Sequence, residues 1–479
     1  MTGADGFLAF PDGFVWGAST AAYQIEGSPS ADGKGRSVWD TFTHAPGNVR
    51  GGDTGDVACD SYRRYREDVA LIASLGLKAY RFSISWPRVQ PGGRGPANSK
   101  GLDYYRALLD ELAEHGIAAT VTLYHWDLPQ ELQDEGGWAA RETASRFAEY
   151  AAICAEALGD RVARWITLNE PQVVSNNGYR HGNHAPGLRD PGAASAATHH
   201  LLLGHGLATR ALRDLGAAEV GITLDLHPIR LLDSERARML GDADLERGRL
   251  VTDAIVNGTY LEPVLHGRYP EDAPAVMLPP PALVADGDLE TIGQPLDFLG
   301  INYYSPIFLR AGDPADLRRN EEPARCAVPG VVEYRPDRLE RTPMGWLVDA
   351  SGLHELLLDV SKQAPALPLY VTENGRAAED YVNPDGAVND VERIRYLHTH
   401  LEAAARAIQD GASLAGYFVW SLLDNFEWGW GYQKRFGIVF VDFGTQRRIP
   451  KSSAGFYSGV VRANAVPLHV DGLSRSEPR

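Results

Sequence analysis

Cysteine is scarce in this chain of 479 residues. The three cysteines, Cys59, Cys154 and Cys326, are too few and too scattered for a disulfide framework, and they show no metal-ligand spacing. No apolar run approaches the roughly 18–20 residues that a membrane-spanning helix requires. The amino-terminal stretch lacks the basic and apolar segments of a signal peptide. These absences favour a cytoplasmic protein with no bound metal and no membrane partner.

Positive charge is also in deficit, because 46 Lys and Arg face 63 Asp and Glu, a net charge of −17. A surface of this sign repels phosphate, so nucleic acid is not expected as a partner. The sequence has no long Gly/Ser linker and no low-complexity block. We therefore expect one folded domain over residues 1–479 that acts on a neutral small molecule; the oligomeric state stays open.

Eight short β-favouring runs are spread along the chain, with helical patterns between most of them. The runs lie at 15–22, 79–85, 118–124, 164–169, 220–226, 297–303, 367–373 and 414–422. The helical patterns cover 62–75, 104–115, 141–158, 193–215, 234–256, 352–361 and 391–409. Strands that are apolar on both faces and separated by helices predict a parallel sheet. Eight such units favour the closed (β/α)8 TIM barrel of the α/β class, and the long connections 270–295 and 305–345 are predicted rim loops.

Two of the predicted strands end in the same way, at a glutamate. The stretch WITLNEP runs up to Asn169 and Glu170, and LYVTENG places Glu373 at its end. Active sites of (β/α)8 barrels lie at the carboxyl ends of the strands, and strands four and seven are nearly opposite. Two such carboxyl groups can cleave a glycosidic bond, one as acid and one as nucleophile or base. For either glutamate alone, capping of a helix or pairing with an arginine remains an alternative.

Other polar and aromatic residues follow the same strand ends. Amide, imidazole and carboxylate groups can bind sugar hydroxyls, and flat aromatic rings can cover the C–H face of a pyranose. These candidates are Gln24, His125, Trp126, Asn302, Tyr304, Trp420, Glu427, Trp428 and Phe436. By contrast, Trp39 and Trp165 are predicted to be core residues, and His199, His200 and His205 lie in a helical pattern and are interpreted as structural.

Seven motifs make the chain resemble the family 1 glycoside hydrolases, the retaining β-glucosidase family. They stand in family order, between about residues 10 and 457: FVWGASTAAYQIEG, YRFSISWPR, YHWDLPQ, TLNEP, GINYY, VTENG and SLLDNFEW. The resemblance implies hydrolysis of terminal β-D-glucosyl residues from small β-glucosides or cello-oligosaccharides, as in cellulose degradation. It also implies tolerance of β-galactosides or β-fucosides and no cofactor.

The resemblance also implies a role for each catalytic residue. Glu170 matches the acid/base of the family and Glu373 its nucleophile, which Arg81 supports as a nearby cation. Asn302 and Tyr304 match neighbours of the nucleophile, and the Tyr304 hydroxyl is expected to donate a hydrogen bond to it. Glu373 is therefore expected to be ionised and Glu170 protonated. Retention of configuration predicts carboxyl groups about 5–5.5 Å apart.

The sugar-binding residues are implied in the same way. Trp420 matches the aromatic floor of the site, and Trp346 matches an aromatic residue on the aglycone side. The residues that match the binding of glycone hydroxyls are Gln24, His125, Asn169, Glu427 and Trp428. The chain departs from the family pattern at Ser61, Asp225 and Arg376, where His, Asn and a small or apolar residue are common.

Three other functions remain open. A 6-phospho-β-glycosidase would replace the Glu427-Trp428 pair, and the charge of Glu427 would repel a phosphate. A thioglucosidase would lack the acid/base that Glu170 supplies. A catalytically inactive sugar-binding module would have no reason to keep both carboxylates. The preferred glycone and aglycone do not follow from the sequence.

Overall fold

Eight parallel strands form a closed barrel in the computed structural model, and each strand pairs with the next along the chain. The structure describes residues 6–232, 242–313, 315, 317, 321–323 and 328–470. The strands are Val15–Ser19 (β1), Ala79–Ser83 (β2), Ala118–Tyr124 (β3), Arg164–Asn169 (β4), Val220–Asp225 (β5), Phe298–Asn302 (β6), Leu369–Asn374 (β7) and Leu414–Trp420 (β8). The predicted barrel is confirmed, and each predicted strand overlaps an observed one.

Helices surround this barrel. The longer ones are Ser61–Ser74 (α1), Ser99–Glu114 (α2), Glu142–Leu158 (α3), Pro191–Asp214 (α4), Asp242–Asp253 (α5), Thr259–His266 (α6), Ala350–Gln363 (α7), Val391–Gln409 (α8) and Ser452–Ala463 (α9). Each predicted helical pattern overlaps one of them, although the start of the pattern at 234–256 lies outside the described residues. None of the helices in the described ranges combines the length and apolar character that crossing a lipid bilayer demands.

A hydrophobic plug fills one part of the barrel interior. Ala79, Ile166, Phe298, Tyr370 and Phe418 form one buried cluster although they come from five different strands. Side chains of non-adjacent strands can meet in this way only inside the barrel, as the packed layers of such barrels require. The polar residues at the carboxyl ends of the strands therefore line a pocket with a closed floor.

Three small sheets lie outside the barrel, two of them antiparallel and one mixed. Phe7–Ala9 pairs with Ala465–Pro467, and Val439–Asp442 pairs with Arg447–Pro450. The third sheet has the order Glu321–Pro323, Val331–Tyr334, Ile307–Ala311 and Ile229–Leu231. The segment 305–345, predicted as a loop, therefore supplies three strands of this sheet.

The segment 270–295 contains the short helix Asp288–Ile292, which packs along α4. Asp288 bonds His199 near the start of α4, and the Pro295 carbonyl accepts from Arg213 at its end. The second half of this predicted rim loop thus runs down the outside of the barrel. His200 and His205 bond the Trp138 carbonyl and the Thr167 hydroxyl, so these contacts of the α4 histidines hold the fold together.

Candidate active site

Glu170 is the residue at which strand β4 turns away from the sheet. Its backbone is left-handed, with φ +48°, and Pro171 begins a short helix directly after it. Proline suits a first helical position because its missing N–H needs no partner there. The Glu170 N–H still donates to the Thr223 carbonyl of β5, at 2.9 Å. The abrupt end of the WITLNEP strand therefore holds this side chain at the barrel mouth.

Glu373 lies at the end of strand β7, next to a tight backbone contact. A Cβ on Gly375 would meet the Trp420 carbonyl oxygen at 1.7 Å, so only glycine fits at that position. The Asn374 amide donates to the Tyr303 carbonyl at 2.7 Å and accepts from the Tyr417 hydroxyl at 2.6 Å. Because neighbouring side chains alternate along a strand, Asn374 anchors the outer side while Glu373 faces the pocket.

Each oxygen of the Glu373 carboxylate has its own donor. Arg81 Nη1 donates to Oε1 at 2.6 Å, and the Tyr304 hydroxyl donates to Oε2 at 2.7 Å. The other Arg81 nitrogen, Nη2, donates to Asn169 Oδ1 at 2.6 Å. Arg81 thereby links the ends of β2, β4 and β7 beneath the carboxylate.

An amide network brings the two carboxyl groups into one pocket. Asn302 Nδ2 donates to Glu170 Oε1 at 2.6 Å and to Asn169 Oδ1 at 3.1 Å. The Thr372 hydroxyl, one residue before Glu373, donates to Asn302 Oδ1 at 2.8 Å. Asn302 is therefore the direct bridge between the Glu170 side of the site and β7.

Burial raises the pKa of both carboxyl groups, but their surroundings differ. For Glu170 the pKa lies well above its ordinary value, because the charges of Asp225 and Glu373 add to the effect of burial. For Glu373, Arg81 and Tyr304 offset part of the effect of burial, so the pKa is raised less strongly. Glu170 therefore holds its proton more strongly than Glu373, to which the Arg81 guanidinium is bonded.

The buried polar atoms around the pocket that have no hydrogen-bond partner among the described residues include Gln24 Oε1, His125 Nδ1 and Glu427 Oε2. The Gln24 amide nitrogen is fixed by Asn425 Oδ1 and the Phe426 carbonyl, at 3.0 and 2.9 Å. Unpaired buried polar atoms are costly, so their presence at one mouth indicates a site for a hydroxyl-rich ligand.

The hydrogen bonds define the state of His125. Asn169 Oδ1 accepts from Arg81 and Asn302, so its Nδ2 is the donor 3.2 Å from His125 Nε2. Nε2 therefore accepts, and Nδ1 carries the proton. Burial and the Arg81 charge also hold the pKa of His125 well below its ordinary value, which keeps the ring neutral. His125 can thus donate from Nδ1, whereas Gln24 and Glu427 offer acceptors.

Glu427 is a third buried acid of the pocket. Burial, with the nearby charge of Glu373, raises the pKa of Glu427 to about 8.

Two groups of aromatic rings flank the carboxyl groups. In the first, the His125 ring stacks on Trp420 and Trp428 with ring centres 5.9 and 6.1 Å apart, and Trp126 lies 4.5 Å from Trp428. The Trp126 indole N–H donates to the Asn169 carbonyl at 2.9 Å. Trp39, predicted as core, is fully buried beneath Trp428 at 4.5 Å.

The second group contains Tyr304, Trp346 and Phe436. The ring centre of Trp346 lies 5.1 Å from that of Tyr304 and 5.8 Å from that of Phe436. Because the Tyr304 hydroxyl also bonds Glu373, this group forms a wall directly beside that carboxylate.

The structure also shows contributors that the sequence reasoning did not single out. Thr372 and Asn425 orient Asn302 and Gln24, although both lie inside motifs quoted above. The motifs include both residues, but a motif does not show which side chains are in contact. Of the three departures, Ser61 bonds Asp68, and Asp225 contributes to the raised pKa of Glu170.

Known proteins are similar to this chain over nearly its whole length. The Glycosyl hydrolase family 1 profile matches residues 8–466. A thermostable β-glucosidase B from Thermobispora bispora is 51% identical over 466 residues, 97% of this chain and 93% of the relative. A bifunctional β-D-glucosidase/β-D-fucosidase from Bifidobacterium breve is 45% identical over 462 residues, 94% of this chain and 97% of the relative.

Solved structures give the same result. A β-glucosidase from Thermotoga maritima in complex with deoxynojirimycin superimposes with a TM-score of 0.85 at 46% identity, covering 95% of this chain and 99% of that one. The chain belongs to glycosyl hydrolase family 1.

Proposed function

We propose that Glu170 and Glu373 carry out the retaining β-glucosidase reaction of this chain, Glu170 as general acid and base and Glu373 as nucleophile. The single observation behind this assignment is the unequal environment of two buried carboxyl groups. Glu373 contacts the Arg81 guanidinium at 2.6 Å, whereas Glu170 has an amide donor and the carboxylates of Asp225 and Glu373 nearby. A pair whose pKa values are separated by their environments supplies an acid and an anion at the same pH.

The first step forms a covalent intermediate. The Glu170 proton passes to the glycosidic oxygen as the bond from that oxygen to the anomeric carbon breaks, and a Glu373 oxygen bonds to the anomeric carbon. Tyr304 then loses its anionic acceptor, and the charge that raised the pKa of Glu170 disappears.

The second step releases the sugar. Glu170, now more acidic, takes a proton from water while the water oxygen bonds to the anomeric carbon. The bond from that carbon to Glu373 breaks, and the carboxylate is restored beside Arg81. Two displacements at one carbon retain its configuration.

The glycone is proposed to lie between the two aromatic groups. Gln24, His125, Asn169 and Glu427 would bind its hydroxyls, and Trp420 would cover its C–H face. The unpaired atoms Gln24 Oε1, His125 Nδ1 and Glu427 Oε2 support this arrangement, because a polyol satisfies all of them.

The substrate class is proposed to be small neutral β-glucosides or cello-oligosaccharides. The presence of the Glu427-Trp428 pair disfavours a 6-phosphorylated sugar, because a 6-phospho-β-glycosidase would replace this pair. The similarity to a bifunctional glucosidase/fucosidase supports tolerance of β-fucosides. An inactive binding module is disfavoured because both carboxyl groups are present and oriented.

The test is Glu373→Gly with p-nitrophenyl β-D-glucoside. We expect hydrolysis to fall by about 10³-fold or more, since no carboxylate remains to form the intermediate. Azide should restore turnover and give the α-glucosyl azide, because a single displacement inverts configuration. Glu170→Ala is the matched control, for which azide should give the β-azide instead. Near-normal turnover of Glu373→Gly, or one azide anomer from both variants, would contradict the assignment.

A further inference from the structure

Trp346 is presented by a short β-hairpin, residues 340–348, which we call the Trp346 hairpin. Its ends are joined by the Val348 N–H, which donates to the Glu340 carbonyl at 2.8 Å. The Thr342 N–H donates to the Trp346 carbonyl at 2.8 Å, and Gly345 makes the turn with φ +82°. Glu340 is therefore at the base of the hairpin and Trp346 near its tip.

The hairpin is tied to the ends of two barrel strands. After β6, the Ser305 hydroxyl accepts from the Leu347 N–H at 3.2 Å. After β7, Arg376 Nη1 donates to Glu340 Oε1 at 2.5 Å. One anchor follows the neighbouring strand β6, and the other follows β7, the strand that carries Glu373.

Arg376 is unusual because its guanidinium is buried while its partners are exposed. Its side chain is 3% exposed, compared with 44% for Glu340 and 58% for Glu392, which accepts from Nη2 at 2.9 Å. Exposed ion pairs contribute little because both side chains must be ordered. Here the buried arginine is already fixed, so its charge-assisted bond positions the glutamate with a smaller entropic cost. Only the Glu340 arm reaches the Trp346 hairpin, whereas the Glu392 arm reaches α8.

We propose that the Arg376–Glu340 pair positions Trp346 and so sets the preference of the enzyme for its aglycone. The chain of contacts runs from Arg376 through Glu340 and the hairpin to Trp346, whose ring packs on Tyr304 and Phe436. The inference rests on the proposed function, since it requires the sugar site to lie beside Glu373. Arg376 and Glu340 are positioning residues, because neither contacts the two reacting carboxyl groups in the described contacts.

The experiment compares Glu340→Gln with Glu392→Gln. Each variant removes one charged partner of Arg376, and both carboxylates are partly exposed, so both proteins should fold. The substrates are p-nitrophenyl β-D-glucoside, which has an aromatic aglycone, and methyl β-D-glucoside, which does not. Inhibition by deoxynojirimycin reports on the glycone site alone.

For Glu340→Gln we expect KM for the p-nitrophenyl substrate to rise roughly three- to tenfold with kcat little changed, as for loss of a binding contact. The kinetics with methyl β-D-glucoside, inhibition by deoxynojirimycin and the thermal midpoint should stay close to wild type. Glu392→Gln should leave all of these values near wild type, and Glu340→Asp should restore part of the lost affinity.

Two results would overturn the inference: an unchanged KM in Glu340→Gln, or equal effects in the two variants. A wild-type protein that hydrolyses neither glucoside would instead overturn the proposed function. The two failures are therefore distinguishable.

Discussion

The electrostatics of Glu170 depend on one residue that departs from the family pattern. Asp225 stands opposite Asn302 in the β5–β6 register, and Asn302 donates to Glu170. Its charge is the largest contribution after burial to the raised pKa of Glu170. At this position the chain carries an aspartate where the family commonly has an asparagine, so the proton of Glu170 is held more strongly.

Replacing Asp225 by Asn should shift the pH dependence of catalysis. Removing the charge lowers the pKa of Glu170, so Glu170 loses its proton at lower pH. The basic limb of the kcat/KM profile should move down by about one pH unit, since this limb reports the acid of the free enzyme. Asp297→Asn is the control, because Asp297 bonds Arg213 and the Val220 N–H at the opposite end of the barrel. An unmoved basic limb in Asp225→Asn would contradict this account of Glu170.

Residue types could be predicted from the sequence better than residue contacts. The ends of WITLNEP and LYVTENG indicated Glu170 and Glu373 because a charged residue after a buried strand is unusual. The path from Glu170 through Asn302 to Thr372 could not be predicted, because it joins three strands whose register no local pattern encodes. The raised pKa of Glu373 is a further example, since burial is a property of the whole pocket.

At the scale of elements, strong hydrophobic periodicity predicts the strands and helices of the barrel. Elements without such periodicity are not predicted from the sequence. Strands β3 and β4 have the predicted bounds because apolar runs end at clear polar breaks. The strands Ile307–Ala311 and Val331–Tyr334 are short and lack flanking helices, so the sequence pattern predicts a loop there. Helix α9 is not among the predicted helical patterns, because it contains Ser and Gly, which disfavour helices. Tertiary hydrogen bonds stabilise it, such as the bond from the Tyr457 hydroxyl to the Gly17 carbonyl at 2.8 Å.

Two glycines inside helices allow the effect of packing on stability to be distinguished from the effect of helix propensity. In α4, a Cβ on Gly206 would lie 2.0 Å from the Thr291 carbonyl oxygen, whereas a Cβ on Gly459 in α9 meets nothing within 4 Å. Gly459→Ala should raise the free energy of unfolding by about 0.5–1 kcal/mol. Gly206→Ala should lower it by about 1–3 kcal/mol, because α4 must move away from Asp288–Ile292. Thermal and urea unfolding measure both, and a stabilising Gly206→Ala would contradict this packing.

At the scale of the whole molecule, several acidic side chains are buried together at the carboxyl ends of the strands. Burial raises the pKa of Glu170, Glu373 and Glu427, and it raises that of Asp127 to about 8. Arg81 is the cation that bonds one of these groups directly. Folding must remove these groups from water, so their burial lowers the stability of the barrel.

Asp127 allows this cost to be measured apart from Glu170 and Glu373. It is 1% exposed, and burial raises its pKa although Ser85 and Lys34 lower it. An unfolded aspartate has a pKa of about 3.9, so folding near neutral pH requires proton uptake. The contribution of Asp127 to stability is therefore greatest below about pH 4 and is lost as pH rises towards about 8. An amide at this position carries no such dependence.

Asp127→Asn should accordingly become more stable relative to wild type as pH rises. Each pH unit of separation is worth up to about 1.4 kcal/mol, so between pH 5 and pH 8 the relative gain should reach about 1–3 kcal/mol after partial relaxation of the site. Urea unfolding of both proteins at the two pH values measures it. Asp12→Asn, at an exposed position, should show no such trend. A difference between Asp127→Asn and wild type that is the same at pH 5 and pH 8 would mean that Asp127 is ionised in the folded protein, and the barrel mouth would then hold one more stable anion than its contacts indicate.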